Sequence, residues 1–170
     1  MEILINPHRH IGLDCTILRD IPAPSDNTEQ VQALLARCPS AAVTPLVNAT
    51  AMACEQSIGR VSIKDERSRM GLGSFKALGA AYVIAHSAMI EGKSQTGKTY
   101  VTASAGNHGM SVAAGAKAFG ANSVVYIAET VPEAFATRLK AEGAQVIRAG
   151  QTYEESMSAA RQAAEDNGWS

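Results

Sequence analysis

Residues 99–119 read TYVTASAGNHGMSVAAGAKAF and decide the fold. The β-branched and aromatic residues of TYVT favour a strand, and the alanine-rich run from Gly106 favours a helix that Gly120 ends. Ser104 lies between them as the expected N-cap of that helix. A strand that leads directly into a helix is typical of a parallel α/β sheet, in which such junctions bind ligands.

Two further strand–helix units follow this junction. SVVYIA predicts a strand before a helix in PEAFATRLKAE, and QVIRA predicts a strand before a helix in TYEESMSAARQAAEDNG. Pro132 suits the first turn of the first of these helices, and Gly143 ends it. The order from residue 99 is therefore βαβαβα, which predicts an α/β fold: a parallel sheet with right-handed crossovers and helices on both faces.

The first half of the chain carries shorter elements. A helix with its cap at Ser25 or Asp26 is predicted by apolar residues at helical spacing, and Pro39 stops it. The other predicted elements are an extended run in TPLVNA (44–49), a short helix in AMACEQS, a strand in VSIK (61–64) and a helix in SFKALGAAYVIAHSAM (74–89).

Composition excludes several classes of function. The chain has 170 residues, enough for a sizeable core, and its net charge of −1 favours neither nucleic acid nor an anionic membrane as partner. No apolar run is long enough to span a bilayer, and the N-terminus does not resemble a signal peptide. The widely spaced Cys15, Cys38 and Cys54 suggest reduced thiols and a cytoplasmic location. His8 and His10 flank Arg9, but we expect an exposed terminus there and no metal site.

GKSQTGKT (92–99) matches the phosphate-binding pattern G-x-x-x-x-G-K-[ST]. That pattern binds phosphate when a strand precedes it and a helix follows it. Here the predicted order is reversed, so we expect an exposed turn between a helix and a strand.

GLGSFKALGA (71–80) is the second informative segment. Lys76 lies near the start of a predicted helix among apolar neighbours such as Phe75 and Leu78. A lysine on the solvent side of the helix is one interpretation; a partly desolvated amine that serves as nucleophile and base is the other. The loop at Asn107 presents backbone N–H groups that suit a carboxylate. A reactive lysine and a carboxylate loop together are what amino-acid chemistry on an aldehyde cofactor requires.

With both segments in order, the chain resembles the fold type II pyridoxal-phosphate (PLP) enzymes, which include threonine and serine dehydratases and tryptophan synthase β chains. IKDERSRMGLGSFKALGAAYVIA (63–85) is similar to the K-D-E-x-x-R-x-G-L-x-x-F-K run of diaminopropionate ammonia-lyases. TPL (44–46) and GNHG (106–109) fit the same family. The resemblance extends from about Thr44 to the last residue.

The resemblance implies a role for each matching residue. Lys76 would form the internal aldimine with PLP and later move the substrate Cα proton, and Phe75 would pack near the cofactor ring. Asn107 would hydrogen-bond the phenolic oxygen of the cofactor. The loop that holds the substrate carboxylate comprises Ser104, Gly106, Asn107 and His108. For Ser104 the helix-cap role can coexist with this one, and His108 is equally well explained as a histidine at a helix start.

The implied reaction is α,β-elimination on a small amino acid, with diaminopropionate giving pyruvate and ammonia. Two departures matter. The chain has Ala105 where the lyases usually have an acidic residue thought to give access to the D isomer, so a serine/threonine dehydratase is the alternative. A glycine-rich loop for the cofactor phosphate is missing. We therefore expect residues 1–66 to be part of an incomplete large domain and residues 67–170 a small α/β domain, homodimeric at full length. The alternative outside the enzymes is a non-catalytic α/β binding module or an inactive truncated fragment.

Overall fold

The computed structural model describes residue 21, residues 26–92 and residues 94–170. Cys15, the His8–His10 segment and the predicted cap Ser25 lie outside these residues. No group of His, Cys, Asp or Glu in the described part of the chain is arranged to hold a metal ion. Among the same residues, no helix has both the length and the apolar character needed to cross a bilayer.

The second half of the chain forms a parallel three-stranded sheet in the order β3-β4-β5. Its strands and helices alternate as the sequence predicts: β3 (Thr99–Thr102), α4 (Asn107–Ala118), β4 (Asn122–Ile127), α5 (Glu133–Ala141), β5 (Gln145–Arg148) and α6 (Tyr153–Asn167). Val101 pairs with Val124 across the first two strands, and Val125 pairs with Val146 across the next two. The α/β fold expected from the sequence is confirmed.

The main core lies between this sheet and the helices that cover it. Val125 and Ile127 on β4 contact Met110 and Ala113 of α4 and Leu139 of α5, and all five side chains are buried. Burying a Leu or Ile side chain contributes about 1.5–3 kcal/mol, so this cluster anchors α4 firmly on the sheet.

The first half of the chain is built from α1 (Glu29–Ala36), β1 (Leu46–Asn48), α2 (Thr50–Glu55) and β2 (Ser62–Lys64). β1 and β2 pair antiparallel and form a separate two-stranded sheet. α1 begins at Glu29 and its N-cap position is Thr28, so the predicted cap at Asp26 is wrong by two residues. The amide of Glu29 is bonded by the Asn27 side chain instead, at 3.1 Å.

α3 (Gly79–Glu91) packs closely against α4. A Cβ added to Gly115 would lie 3.0 Å from Ala81 Cα and 3.1 Å from Ile84 Cδ1. Since a side chain there would be closer to α3 than ordinary van der Waals contact, Gly115 allows the two helices to approach each other at this point.

The segment GKSQTGKT connects α3 to β3, the helix-then-strand order that the sequence predicts. Gly92 ends α3 in the left-handed conformation, and Lys98 is ion-paired with Glu91 of that helix. Lys98 is thus held beside α3, and Thr99 already belongs to a strand.

Residues after α6 return to the free edge of β3. The Ser170 amide donates to the Thr99 carbonyl at 3.0 Å, and the Val101 amide donates to the Ser170 carbonyl at 2.8 Å. Trp169, the one tryptophan of the chain, is half-buried beside this edge, and its amide bonds the Ala164 carbonyl at 2.9 Å.

Candidate active site

Lys76 lies on a tight 3₁₀ turn, Phe75–Leu78, that precedes α3. The Ser74 hydroxyl caps this turn by accepting from the Lys76 amide at 3.2 Å. Gly73, with φ of +78°, lets the chain reverse just before Ser74. The predicted helix from Ser74 is therefore wrong in its first turn, since α3 starts only at Gly79.

The Lys76 side chain is exposed rather than partly desolvated as expected. Lys64, Lys98 and Lys140 donate to oxygen atoms of Thr44, Glu91 and Glu133. Within the described part of the chain, Lys76 Nζ has no such acceptor. Its amine is therefore accessible and uncommitted, on a turn whose backbone is capped.

The glycine-rich loop between β3 and α4 ends in a helix cap that differs from the predicted one. Gly106 is the N-cap, and the first helical backbone bond runs from the Met110 amide to the Gly106 carbonyl at 3.1 Å. Ser104 is thus not the N-cap. The first amides of a helix have no acceptor inside it, so Asn107 and His108 carry N–H groups available to an anion.

Gly109 shows how tightly this loop is folded. A Cβ built on Gly109 would overlap the backbone carbonyl oxygen of Ser104 and lie 3.2 Å from Leu139 Cδ2. Because any larger residue would displace the Ser104 carbonyl, the second glycine of GNHG is a steric requirement of the loop.

Phe75 and Asn107 line one cleft of about 530 Å³. Gly73 and Ser74 complete that wall, and β1, β2 and residues 64–67 form the other. The cleft thus brings together one residue from each predicted segment, Phe75 and Asn107, which are 32 positions apart in the sequence. The predicted residues Lys76, Ser104, Gly106 and His108 are outside its lining.

A hydrogen-bonded network, missed at the level of sequence, holds the wall formed by residues 64–67. The Arg69 guanidinium donates to both carboxylate oxygens of Glu66, at 2.6 and 2.8 Å, and to the Thr44 hydroxyl at 2.8 Å. Thr44, 3% exposed, donates to Glu66 at 2.5 Å. Lys64 Nζ donates to the Thr44 carbonyl, also at 2.5 Å.

This network explains much of the K-D-E-x-x-R pattern as structure. Hydrogen bonds from Arg69 and then from Thr44 lower the pKa of the Glu66 carboxyl from 4.5 to about 2. The neighbouring Asp65 accepts from Arg67 at 2.6 and 2.9 Å, which lowers its pKa from 3.8 to about 2. Only the co-occurrence of Thr44 with this charged run could have indicated the contact in advance.

Comparison with known proteins identifies the family of this chain. Residues 37–170 match the family described as "Pyridoxal-phosphate dependent enzyme". The chain belongs to this family, whose members depend on PLP.

Two of the similar proteins have different activities. The chain is 29% identical over 159 residues to diaminopropionate ammonia-lyase of Salmonella typhimurium, covering 82% of this chain and 39% of that protein. It is 34% identical over 125 residues to the catabolic L-threonine dehydratase of Staphylococcus aureus, covering 74% and 35%.

A solved structure of one of these enzymes has a similar fold. Diaminopropionate ammonia-lyase of Escherichia coli, in complex with an aminoacrylate–PLP azomethine intermediate, superposes with a TM-score of 0.76 at 26% identity, over 85% of this chain and 40% of that one. The chain thus spans about two fifths of the length of these relatives.

The residues described here fit the cofactor. PLP needs a primary amine for its aldehyde, a surface for its ring and donors for its oxygens. Lys76 supplies an uncommitted amine, and Phe75, 64% exposed, supplies an aromatic surface on the cleft. The Asn107 side-chain amide, on the same cleft, supplies a donor.

Proposed function

We propose that the chain provides the lysine-bearing half of a PLP-dependent ammonia-lyase site. The reaction is α,β-elimination on a small amino acid, with diaminopropionate as substrate and pyruvate and ammonia as products. One observation carries this proposal: the turn that bears the free amine of Lys76 also places Phe75 in a cleft shared with Asn107 of the glycine-rich loop.

Each residue has a defined task in this proposal. PLP, when bound, supplies the electron sink that accepts charge from the substrate Cα. Lys76 Nζ would hold the cofactor aldehyde until the substrate amine displaces it, and the amine so released would take the Cα proton. Phe75 packs on the ring, and the Asn107 amide donates to the phenolic oxygen. The substrate carboxylate is bound by the loop residues Ser104, Gly106, Asn107 and His108.

A serine/threonine dehydratase is the second candidate, and Ala105 favours it. Ala105 stands where the lyases usually have an acidic residue, and its side chain packs against the core cluster around Met110 and Leu139. A carboxylate at this position would be drawn towards apolar atoms, at a cost in stability. Assembly as a homodimer and cytoplasmic location remain predictions.

Covalent labelling tests the lysine assignment. The protein made from its complete reading frame is incubated with PLP, reduced with borohydride, digested and analysed by mass spectrometry. We expect the adduct on Lys76, and we expect Lys76→Ala to lose it. Lys117→Ala is the matched control, since Lys117 is an exposed lysine of α4 outside the cleft. Equal labelling of Lys76 and Lys117 in the wild-type protein would contradict the proposal.

Substrate preference separates the two activities. Elimination from diaminopropionate releases two ammonia molecules per pyruvate, whereas serine releases one, so ammonia and pyruvate assays identify the reaction on each substrate. We expect a kcat/KM for diaminopropionate above that for serine and threonine. The reverse order would assign the protein to the dehydratases while leaving the role of Lys76 intact.

A further inference from the structure

Ser111 has no place in the site as described so far, yet its hydroxyl is fully buried, at 0% exposure. It lies on α4, and its Oγ reaches two backbone groups of another segment. The hydroxyl donates to the Ala77 carbonyl at 3.3 Å and accepts from the Ala81 amide at 3.2 Å. Ala77 belongs to the 3₁₀ turn that bears Lys76, and Ala81 belongs to α3.

These two bonds act as a helix cap supplied from another helix. Ala81 is the third residue of α3, where the amide has no acceptor inside the helix. The residue that precedes α3, Leu78, offers no capping side chain. Ser111 therefore does for α3 what a serine or aspartate at the N-cap ordinarily does. The same hydroxyl fixes the end of the 3₁₀ turn through Ala77.

The position of Ser111 along α4 connects this cap to the cleft. Asn107 and Ser111 are four residues apart, so their side chains share one face of the helix. Asn107 lines the cleft, and Ser111 binds the lysine-bearing turn one helical turn further along. One helix, α4, which the core holds on the sheet, therefore positions both the Asn107 side chain and the turn that bears Lys76.

We propose that Ser111 is a positioning residue for Lys76: it couples the lysine-bearing turn to the helix that carries Asn107. This inference rests on the proposed function of Lys76. Without the hydroxyl, the Ala81 amide and the Ala77 carbonyl lose a partner in a buried place, and the turn gains freedom relative to α4. Small misplacements of a reacting group cost catalytic rate more than substrate affinity.

Two measurements on Ser111→Ala test this inference. In the protein without PLP, we expect hydrogen exchange of the peptide spanning 75–84 to accelerate about threefold to tenfold, the effect of one buried hydrogen bond. In the PLP-loaded protein, we expect kcat to fall by about tenfold or more, with KM within about twofold of the wild-type value. A general loss of stability would instead accelerate exchange in many peptides, and it would not lower kcat while leaving KM unchanged.

Ser156→Ala is the matched control. Ser156 is another buried serine, 1% exposed, whose hydroxyl bonds the Tyr153 carbonyl within α6. We expect its substitution to leave exchange in 75–84 and kcat unchanged.

The outcomes separate this inference from the proposed function. If borohydride fixes PLP on Lys76 but Ser111→Ala behaves like Ser156→Ala, the positioning role is wrong and the proposed function stands. If the wild-type protein forms no adduct on Lys76, the proposed function fails and takes the positioning role with it.

Discussion

At the scale of single residues, the backbone around the candidate site leaves little freedom to its side chains. Gly109 is the clearest case, because the Ser104 carbonyl occupies the space of a Cβ. Ser104 lies half-buried in a loop whose helix is capped by Gly106. The residue pattern S-x-G-N-H-G therefore describes a loop shape as much as a set of reacting groups.

Substitution of Gly109 by alanine tests this reading. The added methyl group must displace backbone atoms in a packed region, so we expect Gly109→Ala to lower the free energy of unfolding by about 1–3 kcal/mol. Urea denaturation measures the change. Gly106→Ala is the control, because a Cβ at Gly106 meets no atom within 4 Å. Equal destabilisation by the two variants would show that loss of glycine flexibility, rather than overlap, is the cause.

Ala105 carries a prediction about stereochemistry. Because position 105 carries no acidic side chain to remove the Cα proton from the second face, we expect D-diaminopropionate to react at least about 100-fold more slowly than the L isomer, the usual contribution of one acid–base group. Comparing kcat/KM for the two isomers measures it. Comparable rates for both isomers would show that another residue serves as the second base.

At the scale of elements, the network of Thr44, Glu66 and Arg69 joins the chain before β1 to the segment that follows β2. Arg69 and Glu66 side chains are only 13% and 15% exposed, so their bonds are sheltered from water. Arg69 also bonds the Ala42 carbonyl at 2.8 Å. One wall of the cleft thus depends on charge, whereas α4 on the other wall depends on apolar packing.

This difference predicts that acid weakens the wall formed by residues 64–67. The pKa of Glu66 is about 2 in the folded chain and 4.5 ordinarily, so its contribution to stability is fully present above pH 4.5 and is lost as the pH falls towards 2. We expect Glu66→Gln to flatten the pH dependence of the free energy of unfolding within that range. Urea titrations at several pH values measure it.

Glu165→Gln provides the control for the acid range. Glu165 is exposed on α6 and belongs to no ion pair recorded among the described residues. We expect its pH profile to follow the wild-type protein. If Glu66→Gln also follows the wild-type profile, the network does not account for stability in acid.

At the scale of the whole molecule, the two-stranded sheet and the segment before it leave large apolar side chains exposed. Val43, Leu46, Val47 and Ile63 are 95%, 69%, 47% and 43% exposed. Exposed apolar side chains of this kind offer a hydrophobic dye a place to bind. We expect the 170-residue chain by itself to bind a hydrophobic dye, and Leu46→Lys to reduce the dye fluorescence. Met157→Lys on α6, where Met157 is 42% exposed, is the control and should change it little.

How far the sequence predicts this molecule depends on whether a contact is local. The order of β3 to α6 follows from hydrophobic period, Gly120 and Gly143, which are local signals. The 3₁₀ turn at Lys76 does not, because the Ser111 hydroxyl bonds its end from a helix that is distant in sequence. The cap of α4 lies at Gly106 and not at Ser104, because the loop backbone brings the Ser104 carbonyl against Gly109. The family resemblance implies that Phe75 and Asn107 both contact the cofactor, which is consistent with the cleft they share, and no periodicity indicates that cleft.

Trp169 gives the 170-residue chain a single source of indole emission. It is half-buried, and it precedes Ser170, whose backbone pairs with β3. Fluorescence therefore reports the docking of the end of α6 on the sheet without an attached label. A chromophore bound near Lys76 would quench that emission by energy transfer, so a single optical trace can follow unfolding of the sheet edge and loading of the site in the same sample.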